Sequence, residues 1–358
     1  MRKGEICLSI KMQAAAPMDN NENKKEIILS VKDLVVEFAL RGEMLTATRH
    51  VSLDIYKGES LAIVGESGSG KSVFTKTFIG LLDSNGKITN GSIEYGGMDL
   101  ASVKSKKEWQ SIRGGEIAMI MQDPMTSLNP LKKIGVQIRE SILLHTPGIT
   151  KKEAKERAIK YIEDVGIPDA EERYYQYPHE FSGGMRQRVV IAIALACNPK
   201  ILICDEPTTA LDVTIQAQIL DLLHHLKQKY NLTIVFITHD LGVVANIADR
   251  VAVMYAGDIV EIGQSKEIYQ DARHPYTKAL LKSLPQLGTK GEPLFTIKGT
   301  PPALSQKIYG DAFALRNPDA MKIDFKVLPP YFKVSETHFA RTWLLDPRCP
   351  QNNDASEQ

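Results

Sequence analysis

Gly65-Glu66-Ser67-Gly68-Ser69-Gly70-Lys71-Ser72 is the stretch that decides the fold. It fits the pattern G-x-x-x-x-G-K-[ST] and directly follows an apolar run at residues 61–64, which we expect to be a strand. Glycines let such a loop curl so that its backbone N–H groups face a phosphate. The lysine supplies a cation to the β and γ phosphates, and the serine hydroxyl can bind Mg²⁺. The stretch therefore predicts a nucleotide-binding loop between a strand and a helix.

A second stretch, residues 201–207, is an apolar strand that ends in two carboxylates, Asp205 and Glu206. A strand that is apolar throughout is buried on both faces, and its carboxyl end lies at the ligand crevice of an open parallel sheet. We expect Asp205 to support Mg²⁺, directly or through water, and Glu206 to act as general base for an attacking water. Paired acids are also common where an ordinary strand enters a turn, so this interpretation depends on the phosphate loop.

The apolar pattern divides the chain into segments. Short apolar runs at residues 27–31, 34–38, 50–55 and 60–64 predict a β-rich opening, and β-α alternation after Lys71 predicts an α/β domain with a parallel sheet. Helical spacing between about 123 and 185, clearest at 151–165, predicts an inserted helical subdomain. Runs at 250–254 and 258–262 predict a last strand pair. We place a flexible tail at 1–26, the nucleotide-binding domain at 27–273 and a proline-richer C-terminal extension at 274–358.

Charge balance and cysteine spacing exclude several classes of protein. The 358 residues include 44 Lys plus Arg and 43 Asp plus Glu, so no overall positive field attracts nucleic acid or anionic lipid. The 4 cysteines are scattered without a C-x-x-C pair, which suits a reducing compartment better than a disulfide scaffold. The N-terminus predicts no export signal, and no apolar run approaches the roughly 20 residues that cross a membrane. We therefore expect a cytoplasmic chain that does not span a membrane.

A third stretch, Phe181-Ser182-Gly183-Gly184-Met185-Arg186-Gln187-Arg188, resembles the signature motif of ATP-binding cassette (ABC) proteins. We expect Ser182 to cap a helix, Gly183 and Gly184 to admit close backbone approach, and the positive end of the helix to meet a phosphate. A simple serine-capped helix would serve the same residues. Phe181 and Met185 replace the commonest Leu and Gln, a variant typical of one branch of the family.

The resemblance implies roles for further residues. Gln122 resembles the glutamine that senses Mg²⁺ and the attacking water, His239 the switch histidine at the γ-phosphate, and Phe38 the aromatic that stacks on adenine. Asp212 lies in a segment that resembles the one contacting an opposing subunit. The resemblance implies a P-loop NTPase fold, ATP and Mg²⁺ as ligands, and hydrolysis by Glu206, His239 and Gln122. Mg²⁺ would be held by Ser72, Gln122 and Asp205, and the nucleotide by Phe38, the loop residues Gly65, Glu66, Ser67, Gly68, Ser69, Gly70, Lys71 and Ser72, and by Ser182, Gly183, Gly184 and Asp212.

Two more stretches, residues 122–130 and 274–281, resemble the oligopeptide and dipeptide importer branch of the ABC family, as do Gly299-Thr300-Pro301-Pro302 and Pro329-Pro330. The resemblance implies a motor subunit that is peripheral on the cytoplasmic face of the cell membrane. Its implied partners are a second, related ABC ATPase subunit, two transmembrane permease subunits and an extracytoplasmic peptide-binding protein, with no nucleic acid.

Alternatives and one departure accompany this resemblance. Dipeptides or nickel are alternative cargoes, and a soluble ABC ATPase acting on DNA or the ribosome is an alternative of another class, disfavoured by the near-neutral charge. Part of the branch holds an iron-sulfur cluster on four C-terminal cysteines. The corresponding positions here are Asp311, Asn317, Asp324 and Thr342, whose oxygens are poor iron ligands, so we expect no cluster.

Overall fold

The first sheet is an antiparallel layer near the N-terminus. In the computed structural model, which describes residues 25–40, 42–209, 211–245, 247–284 and 295–349, it contains β1 (Ile27–Leu40), β2 (Glu43–Tyr56), β4 (Gly86–Tyr95) and β5 (Met98–Asp99) in the order β2-β1-β4-β5. The two strands predicted at 27–31 and 34–38 are wrong, because β1 is continuous. A register shift follows Val31, and Asp33 adopts a positive φ of 52° there. This bulge interrupts the alternation that the sequence pattern depends on. Most of the predicted tail, residues 1–24, lies outside the described residues.

The second sheet carries the predicted parallel strands. Its order is β11-β12-β10-β9-β3-β8-β7-β6, and β9, β3, β8, β7 and β6 run parallel. The strand pair predicted at 250–254 and 258–262 is confirmed as the antiparallel pair β9 and β10, but it is not the last, because two short strands after it extend the same edge. They have two residues each, too few to show an alternating pattern. The bounds are β3 (Ser60–Val64), β6 (Ile117–Ile120), β7 (Ile201–Asp205), β8 (Thr233–Thr238), β9 (Arg250–Tyr255), β10 (Asp258–Gln264), β11 (Phe332–Lys333) and β12 (Phe339–Ala340).

Helices cover this second sheet, and several of them lie between β6 and β7. In α5 the capping box of Thr150 and Glu153 fixes the first turn, and Ala154, Ala158 and Ile162 form its buried stripe. Within the described ranges, no helix is both long and apolar enough to span a membrane. The helices are α1 (Lys71–Lys76), α2 (Lys106–Ile112), α3 (Pro124–Ser127), α4 (Ile134–His145), α5 (Lys151–Asp164), α6 (Ala170–Arg173), α7 (Gly183–Ala196), α8 (Val213–Tyr230), α9 (Leu241–Val244), α10 (Ser265–Gln270) and α11 (Pro275–Lys282).

The core lies on both faces of the parallel sheet. Along β3, Leu61 and Ile63 enter a cluster shared with the antiparallel sheet, whereas Ala62 and Val64 enter a cluster shared with the helices. All residues of β3, β7 and β8 are buried. Burial on both faces explains why these strands are continuous apolar runs. Their carboxyl ends, where the polar residues follow, therefore lie side by side at one edge.

The C-terminal extension packs into the same core. Tyr276, Leu280 and Leu281 of α11 and Phe313 belong to the cluster shared with the helices. Further on, β12 pairs antiparallel with β10 and so extends the edge of the second sheet. This packing brings the extension close to the phosphate loop.

Candidate nucleotide site

The phosphate loop joins β3 to α1 and requires its glycines at particular points. Gly68 and Gly70 have positive φ angles of 79° and 99°. A β carbon on Gly65 would lie 2.0 Å from the carbonyl oxygen of Met254, and one on Gly70 would lie 2.4 Å from that of Ala47. The loop is thus held between β9 and β2, and a side chain at either glycine would clash with backbone.

Lys71 folds back into this loop. Its side chain is buried, and Nζ donates to the carbonyl oxygens of Gly65 at 2.7 Å and Glu66 at 2.9 Å. Burial lowers the pKa of Lys71, while the carboxylates of Glu206 and Asp205 act in the opposite direction. The ammonium group is therefore placed where a phosphate oxygen can replace its carbonyl partners.

Ser72 and Asp205 form an oxygen pair at the start of α1 and the end of β7. Ser72 Oγ donates to Asp205 Oδ1 at 2.9 Å. Burial raises the pKa of Asp205 above its ordinary value, although the hydrogen bond from Ser72 acts in the opposite direction. No group of three or more His, Cys, Asp or Glu side chains suited to a metal occurs in the described part of the chain. Mg²⁺ is commonly held by one or two protein oxygens together with substrate phosphates and water, so this pair fits it.

Glu206 lies at the centre of a hydrogen-bonded group. Oε2 accepts from Gln122 Nε2 at 3.0 Å and from Thr209 Oγ1 at 2.9 Å, and Oε1 lies 3.2 Å from His239 Nδ1. Burial raises the pKa of Glu206, but the hydrogen bonds from Thr209 and His239 outweigh it and leave the pKa below its ordinary value. Its backbone has a φ of 47°, a strained conformation for a residue other than glycine, of the kind that concentrates at functional sites. The three predicted catalytic residues are thus brought together around one ionised carboxylate.

The signature residues lie at the amino ends of two helices. Ser182 Oγ accepts from the N–H of Met185 and caps α7, whereas Asp212 Oδ1 accepts from the N–H of Ile215 and caps α8. A β carbon on Gly184 would lie 2.7 Å from Ile215 Cγ2, so the two helix ends are in contact. The caps of Ser182 and Asp212 stay within their own helices, and both side chains are exposed.

Phe38 lies near the end of β1 and is half-buried. Its register partners are Leu45 and Gly86, and a β carbon on Gly86 would lie 2.5 Å from the Phe38 ring. It packs against the cluster beneath the antiparallel sheet. Its contacts are those of a core strand residue, and its stacking on adenine stays a prediction.

Glu66, the second residue of the phosphate loop, contacts the C-terminal extension. Its N–H donates to Tyr276 Oη at 2.8 Å, and its carboxylate accepts from both terminal nitrogens of Arg316 at 2.7 and 3.0 Å. Sequence reasoning assigned no role to Tyr276 or Arg316. They lie 210 and 250 residues from Glu66 along the chain. Tyr276 falls in the stretch 274–281 that resembles the importer branch, but no sequence pattern links either residue to the phosphate loop.

The four positions aligned with an iron-sulfur set are buried and serve local turns. Each side-chain oxygen accepts from a backbone N–H two residues on or three residues back. The pairs are Asp311 with Phe313, Asn317 with Asp319, Asp324 with Met321, and Thr342 with Leu344. Such oxygens, already bonded to the backbone, do not fit an iron-sulfur cluster.

Comparisons with known proteins agree with this site. The family model of the ABC transporter matches residues 48–209, and that of the oligopeptide/dipeptide transporter C-terminal region matches residues 260–323. The oligopeptide transport ATP-binding protein AmiE of Streptococcus pneumoniae is 61% identical over 328 residues, covering 92% of each chain. The dipeptide transport ATP-binding protein DppD of Lactococcus lactis is 56% identical over 327 residues, covering 91% of this chain and 93% of the relative.

A solved structure shows the same cassette. The dimeric post-hydrolysis state of an ATP-binding cassette bound to ADP and phosphate aligns with a TM-score of 0.59 and 27% identity, over 66% of this chain and 98% of that chain. The expected family, fold class and enzyme class are thereby confirmed. On the strength of these matches and of the nucleotide site, this chain belongs to the ABC transporter family and is one of its ATP-hydrolysing, ATP-binding subunits.

Proposed function

We propose that this chain is the motor subunit of an importer that takes up oligopeptides, and that it works from the cytoplasmic face of the cell membrane. The observation that carries the proposal is the Glu206 group, set beside Ser72 and Asp205 at one edge of the sheet. The match of the C-terminal region to oligopeptide/dipeptide transporters supports the peptide cargo. Dipeptides, carried according to the name of DppD, and nickel are the alternative cargoes.

Each residue of the site has a chemical task in this proposal. The loop N–H groups and Lys71 hold the phosphates of ATP, and Mg²⁺ on Ser72 and Asp205 would neutralise part of their charge. Glu206 orients a water molecule and accepts its proton, since it is ionised and its oxygens face Gln122 and His239. His239 and Gln122 keep that carboxylate in place and can also reach the terminal phosphate. The negative phosphates raise the proton affinity of Glu206 when ATP is bound.

The exposed amino ends of α7 and α8 suit contact with a second cassette. We propose that Ser182, Gly183 and Gly184 meet the nucleotide held by the phosphate loop of that partner, with Asp212 beside them. A helix amino end with free N–H groups favours a phosphate. The dimeric relative supports this arrangement, in which ATP stabilises the closed pair because it contacts both subunits. We expect the partner to be a related but different chain.

Purification of the tagged protein from its own membranes in mild detergent, followed by mass spectrometry, tests the proposal. Two polytopic permeases, a second ABC ATPase and a peptide-binding protein are the expected companions. Recovery of ribosomal or DNA-repair proteins without any permease would contradict it and leave only the ATPase chemistry. Retention of a nickel-binding protein would keep the motor role and replace the cargo.

A further inference from the structure

Glu66, the second residue of the phosphate loop, is hydrogen-bonded to the C-terminal extension. Arg316 presents both terminal nitrogens to the Glu66 carboxylate, with Nη1 2.7 Å from Oε2 and Nη2 3.0 Å from Oε1. The Arg316 side chain is 5% exposed and that of Glu66 is 25% exposed. A bidentate guanidinium–carboxylate pair is among the stronger and more directional polar contacts in proteins, and partial burial reduces its screening.

A second contact fixes the backbone of the same residue. The phenol oxygen of Tyr276, a fully buried side chain of α11, accepts the Glu66 N–H at 2.8 Å. The Tyr276 ring packs against Tyr255 and Phe313, with centroid distances of 4.5 and 5.3 Å. Arg316 Nη1 also donates to Tyr255 Oη at 3.2 Å. Side chain and backbone of Glu66 are therefore held by one aromatic cluster.

This cluster is itself fixed to rigid parts of the fold. Glu261 of β10 is fully buried, and its carboxylate accepts the N–H groups of Arg273 at 2.6 Å and His274 at 3.0 Å. His274 then caps α11 by accepting the N–H of Tyr276 at 3.1 Å. Because α11 starts on the central sheet, Tyr276 cannot shift without moving β10.

We propose that Arg316 and Tyr276 are positioning residues of the ATPase, which hold the phosphate loop through Glu66 in its phosphate-binding shape. The carbonyl oxygen of Glu66 accepts from Lys71 Nζ at 2.9 Å, so the position of Glu66 also sets where the lysine lies. The proposal rests on the proposed ATPase function and extends it, because it makes the C-terminal extension part of the nucleotide site. Displacements of about 1 Å at such a site can change rates up to a hundredfold.

The test compares two arginines of the same extension in the full-length chain. Arg316→Met removes the guanidinium group that donates two hydrogen bonds to the Glu66 carboxylate. Arg341→Met removes a comparable buried ion pair, with Asp258 at 2.5 Å, that does not contact the phosphate loop. We expect Arg316→Met to raise KM for ATP and the Kd for a fluorescent ATP analogue about tenfold, with a smaller change in kcat. We expect the two variants to lower the melting temperature by similar amounts, because each loses a buried ion pair. Arg341→Met should nevertheless leave KM for ATP and the Kd for the analogue within about twofold of the wild-type values.

Conservative variants separate positioning from folding. Tyr276→Phe keeps the aromatic packing and removes only the acceptor of the Glu66 N–H, so we expect KM for ATP to rise about threefold. Its control is Tyr331→Phe, which removes a hydroxyl that donates to the carbonyl oxygen of Ile259 at 2.5 Å. Arg316→Lys should recover part of the affinity for ATP that Arg316→Met loses, since it restores the positive charge but not the bidentate contact. The double variant Glu66→Gln with Arg316→Met should bind ATP no more weakly than Arg316→Met alone, because the two side chains act through one contact.

Several outcomes would overturn the inference while leaving the proposed function intact. The first is an equal KM for ATP in Arg316→Met and Arg341→Met. The second is a KM for the double variant that equals the product of the separate effects of Glu66→Gln and Arg316→Met. The third is an unchanged KM for ATP in Tyr276→Phe. If Arg316→Met does not fold, the comparison of Tyr276→Phe with Tyr331→Phe decides the question. Failure of the wild-type chain to bind the analogue would instead contradict the proposed function itself.

Discussion

Replacement of Glu206 by glutamine isolates a single proton acceptor. The amide has nearly the shape of the carboxylate, and its oxygen can take the Oε2 place and still accept from Gln122 and Thr209. Its NH₂ group then faces His239 Nδ1, which can accept in its other tautomer. The local network therefore survives, and we expect the free energy of unfolding to change by less than about 1 kcal/mol.

Hydrolysis has no such substitute. A neutral amide cannot accept a proton from the attacking water, and positioned general bases contribute roughly 10²–10⁴-fold to rates. We expect kcat of Glu206→Gln, assayed with its partner subunit by phosphate release, to fall by that factor while the Kd for ATP changes by no more than about twofold. The closed, ATP-bound pair should accumulate and elute as a dimer in size-exclusion chromatography.

A matched control is available at the opposite end of the sheet. Glu116 precedes β6, and its carboxylate accepts from Tyr95 at 2.5 Å and pairs with Lys200 at 2.8 Å. Glu116→Gln changes the same chemical group away from the nucleotide site and should leave kcat unaltered. Hydrolysis by Glu206→Gln at the wild-type rate would refute the assignment of Glu206 as base, whereas a loss of ATP binding would show that its role is structural.

Three further predictions test other parts of the site and the extension. Lys71→Ala should weaken binding of a fluorescent ATP analogue by at least about tenfold, because it removes the loop cation, and unchanged affinity would contradict that role. Burial raises the pKa of Asp258 to about 6 from its ordinary 3.8. The folded state thus binds more protons between these values, and the free energy of unfolding should fall as pH rises through them, a slope that urea titrations should find missing in Asp258→Asn. Iron and sulfide analysis of protein purified without oxygen should find neither in stoichiometric amount, and a stoichiometric cluster would contradict our interpretation of Asp311 and Asp324.

Strands buried on both faces were predictable because burial dictates their composition. β3, predicted at 60–64, is confirmed as Ser60–Val64, and the apolar strand predicted within 201–207 is confirmed as β7, Ile201–Asp205. β1 was divided wrongly, because its bulge near Asp33 breaks the alternation while the backbone continues. β11 and β12 were missed because they are held by pairing rather than by a local pattern, β12 with β10 and β11 with β12.

The site followed the same division between local and distant information. The phosphate loop and the pair Asp205 and Glu206 were recognisable because each occupies consecutive residues at a strand end. Their approach to Gln122 and His239 follows from parallel strands that end at one edge. The contact of Glu66 with Arg316 joins two residues 250 positions apart in sequence, and only the fold reveals it. The adenine contact of Phe38 and the partner contacts of Ser182 and Asp212 stay predictions.

Peptide uptake by the reconstituted complex tests the central claim most directly. The importer, purified with this chain, would be placed in vesicles with ATP on the side of the ATPase subunits, and a labelled oligopeptide with the binding protein on the other. We predict peptide accumulation that requires ATP and stops when this chain carries Glu206→Gln. Accumulation unaffected by that substitution, or ATP hydrolysis without any peptide movement, would contradict the account.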